Sequence, residues 1–134
     1  MRAASIVVLL LACSEDAPAG LEVETFHSLA LDVRHELLAH EVVAVGTLTS
    51  APVHPREVFR SALRRAAAAL VVAHNHPSGD PEPSPEDVAV TRRLADAGRL
   101  LGVPLLDHVV LGEGRFVSLR ERGLVGPAAP DPGT

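Results

Sequence analysis

Tryptophan and tyrosine are missing from this chain of 134 residues, and phenylalanine occurs only three times. A core without large rings must be filled by leucine, valine and alanine, and the 47% hydrophobic content supplies them. The same shortage removes the stacking surfaces on which single-stranded nucleic acids are held. Cysteine is limited to Cys13, which excludes an internal disulfide framework and any cysteine-rich zinc site. A metal here would need nitrogen and oxygen ligands. Basic residues number 12 against 17 acidic ones, for a formal net charge of -5. That balance argues against a broad footprint for phosphate backbones, while leaving room for a local patch. No apolar run is long enough to span a bilayer. The length suits one domain able to bury a core without metal or disulfide staples.

The stretch from Ala3 to Ala12 has the length of the apolar part of a signal peptide, with Arg2 as the basic residue before it. Ending in Leu10-Leu11-Ala12-Cys13, it resembles a bacterial lipoprotein signal with its lipidated cysteine. The alternative is a short or truncated helix, or a strand, packed on the domain. Residues 1–20 are therefore set apart as an N-terminal segment. The expected compartment is the cytoplasm, or the bacterial envelope through a lipid anchor if the signal is real.

From Leu21 to Leu31 apolar and polar residues partly alternate, which predicts a strand. A turn at Asp32 to His35 leads to a second strand from Leu37 to Val45, making a hairpin, and Thr47 to Ser50 could continue as extended chain. Pro55 opens a helix expected to run to about Leu70, with Val58, Phe59, Ala62, Leu63 and Ala66 on its apolar side and Arg56, Arg60, Arg64 and Arg65 outward. The run Leu70 to Ala73 reads as a short buried strand. A Pro- and Gly-rich loop follows, then a second helix from Ser84 or Pro85, with Val88, Thr91, Leu94 or Ala95, Gly98 and Leu101 on one side and a stop at Leu101-Gly102. Pro104 to Leu111 is an apolar strand interrupted by Asp107-His108, and Gly112-Glu113-Gly114 turns it into a second hairpin through Leu119. One helical turn is expected up to Gly123. Residues 21–125 form the expected domain, α/β or α+β with a mixed sheet flanked by helices, and residues 126–134 read as a disordered tail.

The chemistry concentrates in Ala73-His74-Asn75-His76-Pro77-Ser78-Gly79-Asp80, followed by Ser84 and Asp87. In an extended chain alternate side chains point the same way, so His74 and His76 can aim at one point while Asn75 faces the other side. Ser84-Pro85-Glu86-Asp87 has the form of a helix start, with Ser84 as N-cap and Asp87 in the first turn. Two imidazoles and a carboxylate, His74, His76 and Asp87, are a ligand set for a catalytic zinc with one position left open. Such a site needs an acid or base to move a proton, and the residues offer Glu22, Glu24, Glu41, Glu57, Asp80, Glu82 and Glu86 without choosing among them. Ser84 could donate a hydrogen bond to a developing oxyanion besides capping its helix. His27, His35, His40, His54 and His108 read first as surface or hydrogen-bonded histidines.

The spacing His74-x-His76-x(7)-Ser84-x(2)-Asp87 resembles the JAB/MPN (JAMM) metalloprotease domain. Gly46-Thr47-Leu48, Val53 to Val58, Ala73 to Asp80, Thr91 to Leu94 and Leu105 to His108 are similar to its bacterial RadC branch. The resemblance covers about residues 21–125. It implies a deaminase-related three-layer fold, zinc (Zn2+) on His74, His76 and Asp87, Ser84 holding the tetrahedral intermediate, and an early-strand glutamate as general acid/base. That glutamate is Glu24, because Glu24-Thr25-Phe26 followed by Leu29, Leu31 and Asp32 looks like the family's early strand; Glu22 is second choice. The implied activity is hydrolysis of a peptide or isopeptide bond in a peptide or protein substrate. Deamination is disfavoured, since the cysteines of zinc deaminases are missing. The alternatives are a DNA-associated role, which the net charge does not support, and a non-catalytic scaffold that binds a partner.

Overall fold

The computed structural model describes residues 23–46 and 53–126. The signal-like segment, the extended chain expected at Thr47 to Ser50 and the tail lie outside those residues. Five strands, β1 (Thr25–Leu31), β2 (Leu37–Val45), β3 (Ala69–Asn75), β4 (Leu105–Leu111) and β5 (Phe116–Ser118), form one sheet in the order β2-β1-β3-β4-β5. Two helices join them, α1 (Pro55–Arg64) and α2 (Pro85–Leu101). The pairings β1/β2, β1/β3 and β4/β5 are antiparallel, and β3/β4, bridged by α2, is parallel. The result is the mixed, helix-flanked sheet that the sequence predicts.

Strand β3 is central, paired on both edges and buried at every residue. A strand covered on both faces reads as a continuous apolar run, as Ala69 to Ala73 does. Its alternate residues feed two clusters. Leu70 and Val72 join Phe26 and Ala30 of β1, Val58, Phe59 and Ala62 of α1, and Val90 and Leu94 of α2. Ala69, Val71 and Ala73 join Leu29, Leu31 and Val109 on the opposite face. Among the described residues both helices contribute to the first cluster only.

Three local expectations are corrected. Helix α1 stops at Arg64 rather than near Leu70, because Ala66 takes a left-handed φ of 50°. The Ala67 N–H then bonds the Ala62 carbonyl at 2.9 Å and the Ala66 N–H bonds Leu63 at 3.3 Å, a Schellman closure made without the usual glycine. Leu63, expected inside, is 49% exposed. In α2 the inward face carries Val90 rather than Val88, and Leu101 is exposed. Gly98 lets this helix approach the Val103–Leu105 segment closely, since a Cβ there would lie 2.5 Å from the Val103 carbonyl oxygen. Strand β4 runs unbroken through Asp107 and His108, both buried. The Asp107 carboxylate accepts from the His108 N–H at 2.7 Å, the Ser118 hydroxyl at 2.6 Å and the Arg120 N–H at 3.1 Å, so the burial of this acid is compensated.

Candidate metal centre

The carboxyl end of β3, the start of β1 and the first turn of α2 converge. His74, like Leu70 and Val72, projects to the helical face and is fully buried. Its ring stacks on Phe26 with centroids 5.7 Å apart. His76 follows the strand end and is half-buried. The loop between His76 and Ser84 is packed under the β4/β5 turn: the Glu113 N–H bonds the Gly79 carbonyl at 2.9 Å, and a Cβ on Gly112 would lie 2.7 Å from Pro81 Cδ. That loop delivers Ser84 as the N-cap of α2. The Ser84 N–H donates to Asp87 Oδ2 at 2.7 Å and the Asp87 N–H to Ser84 Oγ at 3.1 Å, a reciprocal capping box. Asp87 is therefore held by its own helix start while both of its oxygens face the histidines.

The four candidate side chains meet. His74 Nε2 lies 2.9 Å from Asp87 Oδ1, 3.1 Å from His76 Nε2 and 3.5 Å from Glu24 Oε1, and His76 Nε2 is 3.0 Å from Asp87 Oδ2. One donor atom from each of Glu24, His74, His76 and Asp87 lies within 4.8 Å of the others. Ligands at 2.0–2.1 Å around a tetrahedral ion are separated by about 3.3 Å, so these spacings fit a small divalent cation.

The tautomers follow from the neighbours. The Thr91 hydroxyl donates to the Asp87 carbonyl at 2.7 Å, so its oxygen accepts the Nδ1 proton of His108 at 2.6 Å. His108, wholly buried, is held neutral, its pKa well below the ordinary value through burial first and then the nearby His74. Its Nε2 must then accept from His74 Nδ1 at 2.7 Å. His76 Nδ1 donates to the Asp80 carbonyl at 2.9 Å. Both histidines thus turn an Nε2 lone pair toward each other and toward a carboxylate. Acceptors that face acceptors at about 3 Å require a proton or a cation between them.

Electrostatics agree. Burial works to raise the Asp87 carboxyl, yet a proton shared with the His74 and His76 rings, together with the Ser84 N–H, carries it far below the usual carboxylate range. The bond to Asp87 raises His76, against the opposing effect of burial. Burial raises Glu24, with His74 and His76 pulling the other way.

Of the seven carboxylates considered as proton carriers, the structure brings Glu24 to the cluster. Glu22 lies outside the described residues. Glu82 pairs with Arg122 at 2.7 Å, and Asp80 meets His76 through its carbonyl. Ser84 caps α2, and His35 and His54 are exposed. His27 is buried and hydrogen-bonded to His40 at 2.8 Å. His108, expected to be a surface or hydrogen-bonded histidine, is buried and hydrogen-bonded behind His74, and Thr91, expected only on a helix face, supports it in turn. A cavity of about 370 Å³ between α2, the start of β4 and the 123–126 segment, lined by Arg92, Asp96, Arg99, Leu105 and Leu124 among others, contains none of the four.

A sequence model of one family, described as the RadC-like JAB domain, matches residues 4–124. The chain belongs to the RadC-like JAB domain family. It is 52% identical over 105 residues to a UPF0758 protein of Moorella thermoacetica, covering 78% of this chain and 46% of that protein. It is 53% identical over 107 residues to UPF0758 protein STH371 of Symbiobacterium thermophilum, covering 80% and 46%. An archaeal relative, UPF0758 protein Mbar_A2303 of Methanosarcina barkeri, is 51% identical over 102 residues, covering 76% and 44%. The chain thus spans somewhat under half the length of the curated relatives it matches. Among the described residues of this RadC-like JAB domain, no helix is long and apolar enough to cross a membrane.

Proposed function

We propose that this RadC-like JAB domain, spanning residues 21–125, is a zinc-dependent hydrolase of the JAMM type that cleaves a peptide or isopeptide bond. The observation that carries the reading is the convergence of three acceptors, His74 Nε2, His76 Nε2 and the Asp87 carboxylate, behind Nδ1 protons already committed elsewhere. His74, His76 and Asp87 would hold the metal. When bound, zinc supplies Lewis-acid charge stabilisation and makes water a nucleophile near neutral pH. Glu24, 3.5 Å from His74 Nε2, takes the proton from the attacking water on a carboxylate oxygen and returns it to the leaving nitrogen. Its raised pKa suits a group that must both accept and donate. The Ser84 oxygen accepts from the Asp87 N–H, and its own proton has no partner among the described residues; it donates to the developing oxyanion.

The test has two parts. Purified wild-type chain should carry one zinc that His74→Ala lacks, and unchanged zinc in the variant removes the proposed ligand set. Wild-type chain should hydrolyse members of a peptide library, and Glu24→Gln should suppress that hydrolysis while zinc stays bound. A DNA-associated role has one observation behind it: Arg56, Arg60 and Arg64 along α1 and Arg65 at its C-cap lie exposed with no acidic partner among the described residues. Salt-dependent DNA binding that is abolished by reversing these charges would favour it over a role confined to peptides.

A further inference from the structure

We propose that Asn75 is the positioning residue for Glu24, acting on its backbone from the opposite face of the sheet. Asn75 follows Ala69, Val71 and Ala73 in the strand alternation and so points away from His74. It is 4% exposed. Its Nδ2 donates to the Val23 carbonyl at 3.1 Å, and its Oδ1 accepts from the Thr25 N–H at 2.8 Å. One carboxamide therefore holds the backbone on both sides of Glu24, across sequence separations of 52 and 50 residues. Just past the end of β2, the Gly46 N–H fixes the Glu24 carbonyl at 2.7 Å.

The backbone register between β1 and β3 ends at Phe26 and His74. Beyond it, β3 continues along β4, with Asn75 opposite Leu111 and the His76 N–H bonded to the Leu111 carbonyl. The Asn75 side chain takes over toward Val23 and Thr25 where the main-chain ladder stops, offering the one donor and one acceptor that a strand would have offered. Few side chains can do this. Asp lacks the donor, Leu lacks both groups, and Asn75 is the only carboxamide in the chain, which has no glutamine.

The amide orientation is fixed by its neighbours. The Thr25 hydroxyl donates to Oδ1 at 3.0 Å, so its oxygen accepts from His27 Nε2 at 2.9 Å, and His27 Nδ1 accepts from His40 Nε2 at 2.8 Å. A flipped amide would set its NH2 against both Thr25 donors. Asn75 lies between the two histidine ligands in sequence, so one strand end sets the metal ligands on one face and the general base through the other.

The proposal rests on the reading that Glu24 moves a proton, and its test separates the two. Hydrogen exchange at the Thr25 amide in the metal-free chain reports the clamp without reference to activity. Asn75→Ala should speed that exchange about tenfold, the value of one hydrogen bond, while amides in the middle of β1 stay protected. Zinc content should match wild type. The hydrolytic rate should fall about a hundredfold in kcat with KM unchanged, as expected for a displacement of about 1 Å in a catalytic group. In a Glu24→Gln background, Asn75→Ala should cost nothing further. Asn75→Asp, which keeps the Thr25 acceptor, should retain Thr25 protection and fall between the two, and it serves if the alanine variant does not fold. Unchanged Thr25 exchange, loss of zinc with Asn75→Ala, or an equal further loss in the Glu24→Gln background would each overturn the proposal. A wild-type chain that binds no zinc and cleaves nothing refutes the hydrolase reading instead, and Thr25 exchange then still decides whether the clamp exists.

Discussion

Replacing His108 should weaken zinc binding although it touches no ion. His108 accepts the Nδ1 proton of His74 at 2.7 Å inside a region where both rings are fully buried, and water cannot substitute for it. In His108→Phe that proton is left without an acceptor, a cost of about 1–3 kcal/mol for a buried donor. The ring can escape by shifting its proton to Nε2, which removes the lone pair aimed at the metal. Either way the zinc-bound state loses about 1.4–2.8 kcal/mol, the tenfold to hundredfold typical of residues that orient a metal-binding histidine. His108→Gln, whose carbonyl can accept from Nδ1, should recover part of the loss. Thr91→Val removes the acceptor of His108 Nδ1, one bond further out, and should cost less than His108→Phe. Competition with a chromophoric chelator gives the affinities, and imidazole 15N shifts report the His74 tautomer. An affinity unchanged in His108→Phe, or a His74 Nδ1 that carries no proton in the zinc-loaded wild type, would refute the tautomer argument.

Gly98→Ala should destabilise the chain by about 1–2 kcal/mol in urea unfolding, because the clash with the Val103 carbonyl outweighs the helix-propensity gain; a stabilised variant contradicts the packing. Burial, with His40 and His74 nearby, pushes His27 down to about 4. The unfolded chain, with a histidine pKa of about 6.5, then binds the extra proton first, so stability present above about pH 6.5 falls as pH drops toward about 4, by up to about 3 kcal/mol. Urea midpoints of the metal-free chain should show this loss and His27→Leu should lessen it; identical pH slopes would contradict the assignment. Chelation of zinc held at a hundredfold excess over Kd should remove about 2.7 kcal/mol, or about 10 °C in Tm, and His74→Ala should show no such zinc-dependent shift.

The legible part of the site was the part written locally. His74 and His76 share a face through strand periodicity, and Ser84 and Asp87 announce a helix start three residues apart, so both readings use short-range rules alone. Glu24 was different. Spacing left seven carboxylates open, and only the resemblance to a family singled out the one that stands just before β1 at the cluster. His108 and Asn75 act across 34 and 50 residues, and no periodicity records such contacts. Asp107-His108 looked like a break in a strand because burial of two polar residues is unfavourable in isolation; their partners on β5 and α2 reverse that. The end of α1 was hidden in an alanine-rich run, since the left-handed turn falls on Ala66 rather than on a glycine.

The most direct test of the central claim is anomalous diffraction at the zinc edge from crystals of the zinc-loaded chain. We predict one peak bounded by His74 Nε2, His76 Nε2 and the Asp87 carboxylate, with the Glu24 carboxylate beside it. A peak held by other residues, or none at this cluster in zinc-loaded crystals, would contradict it.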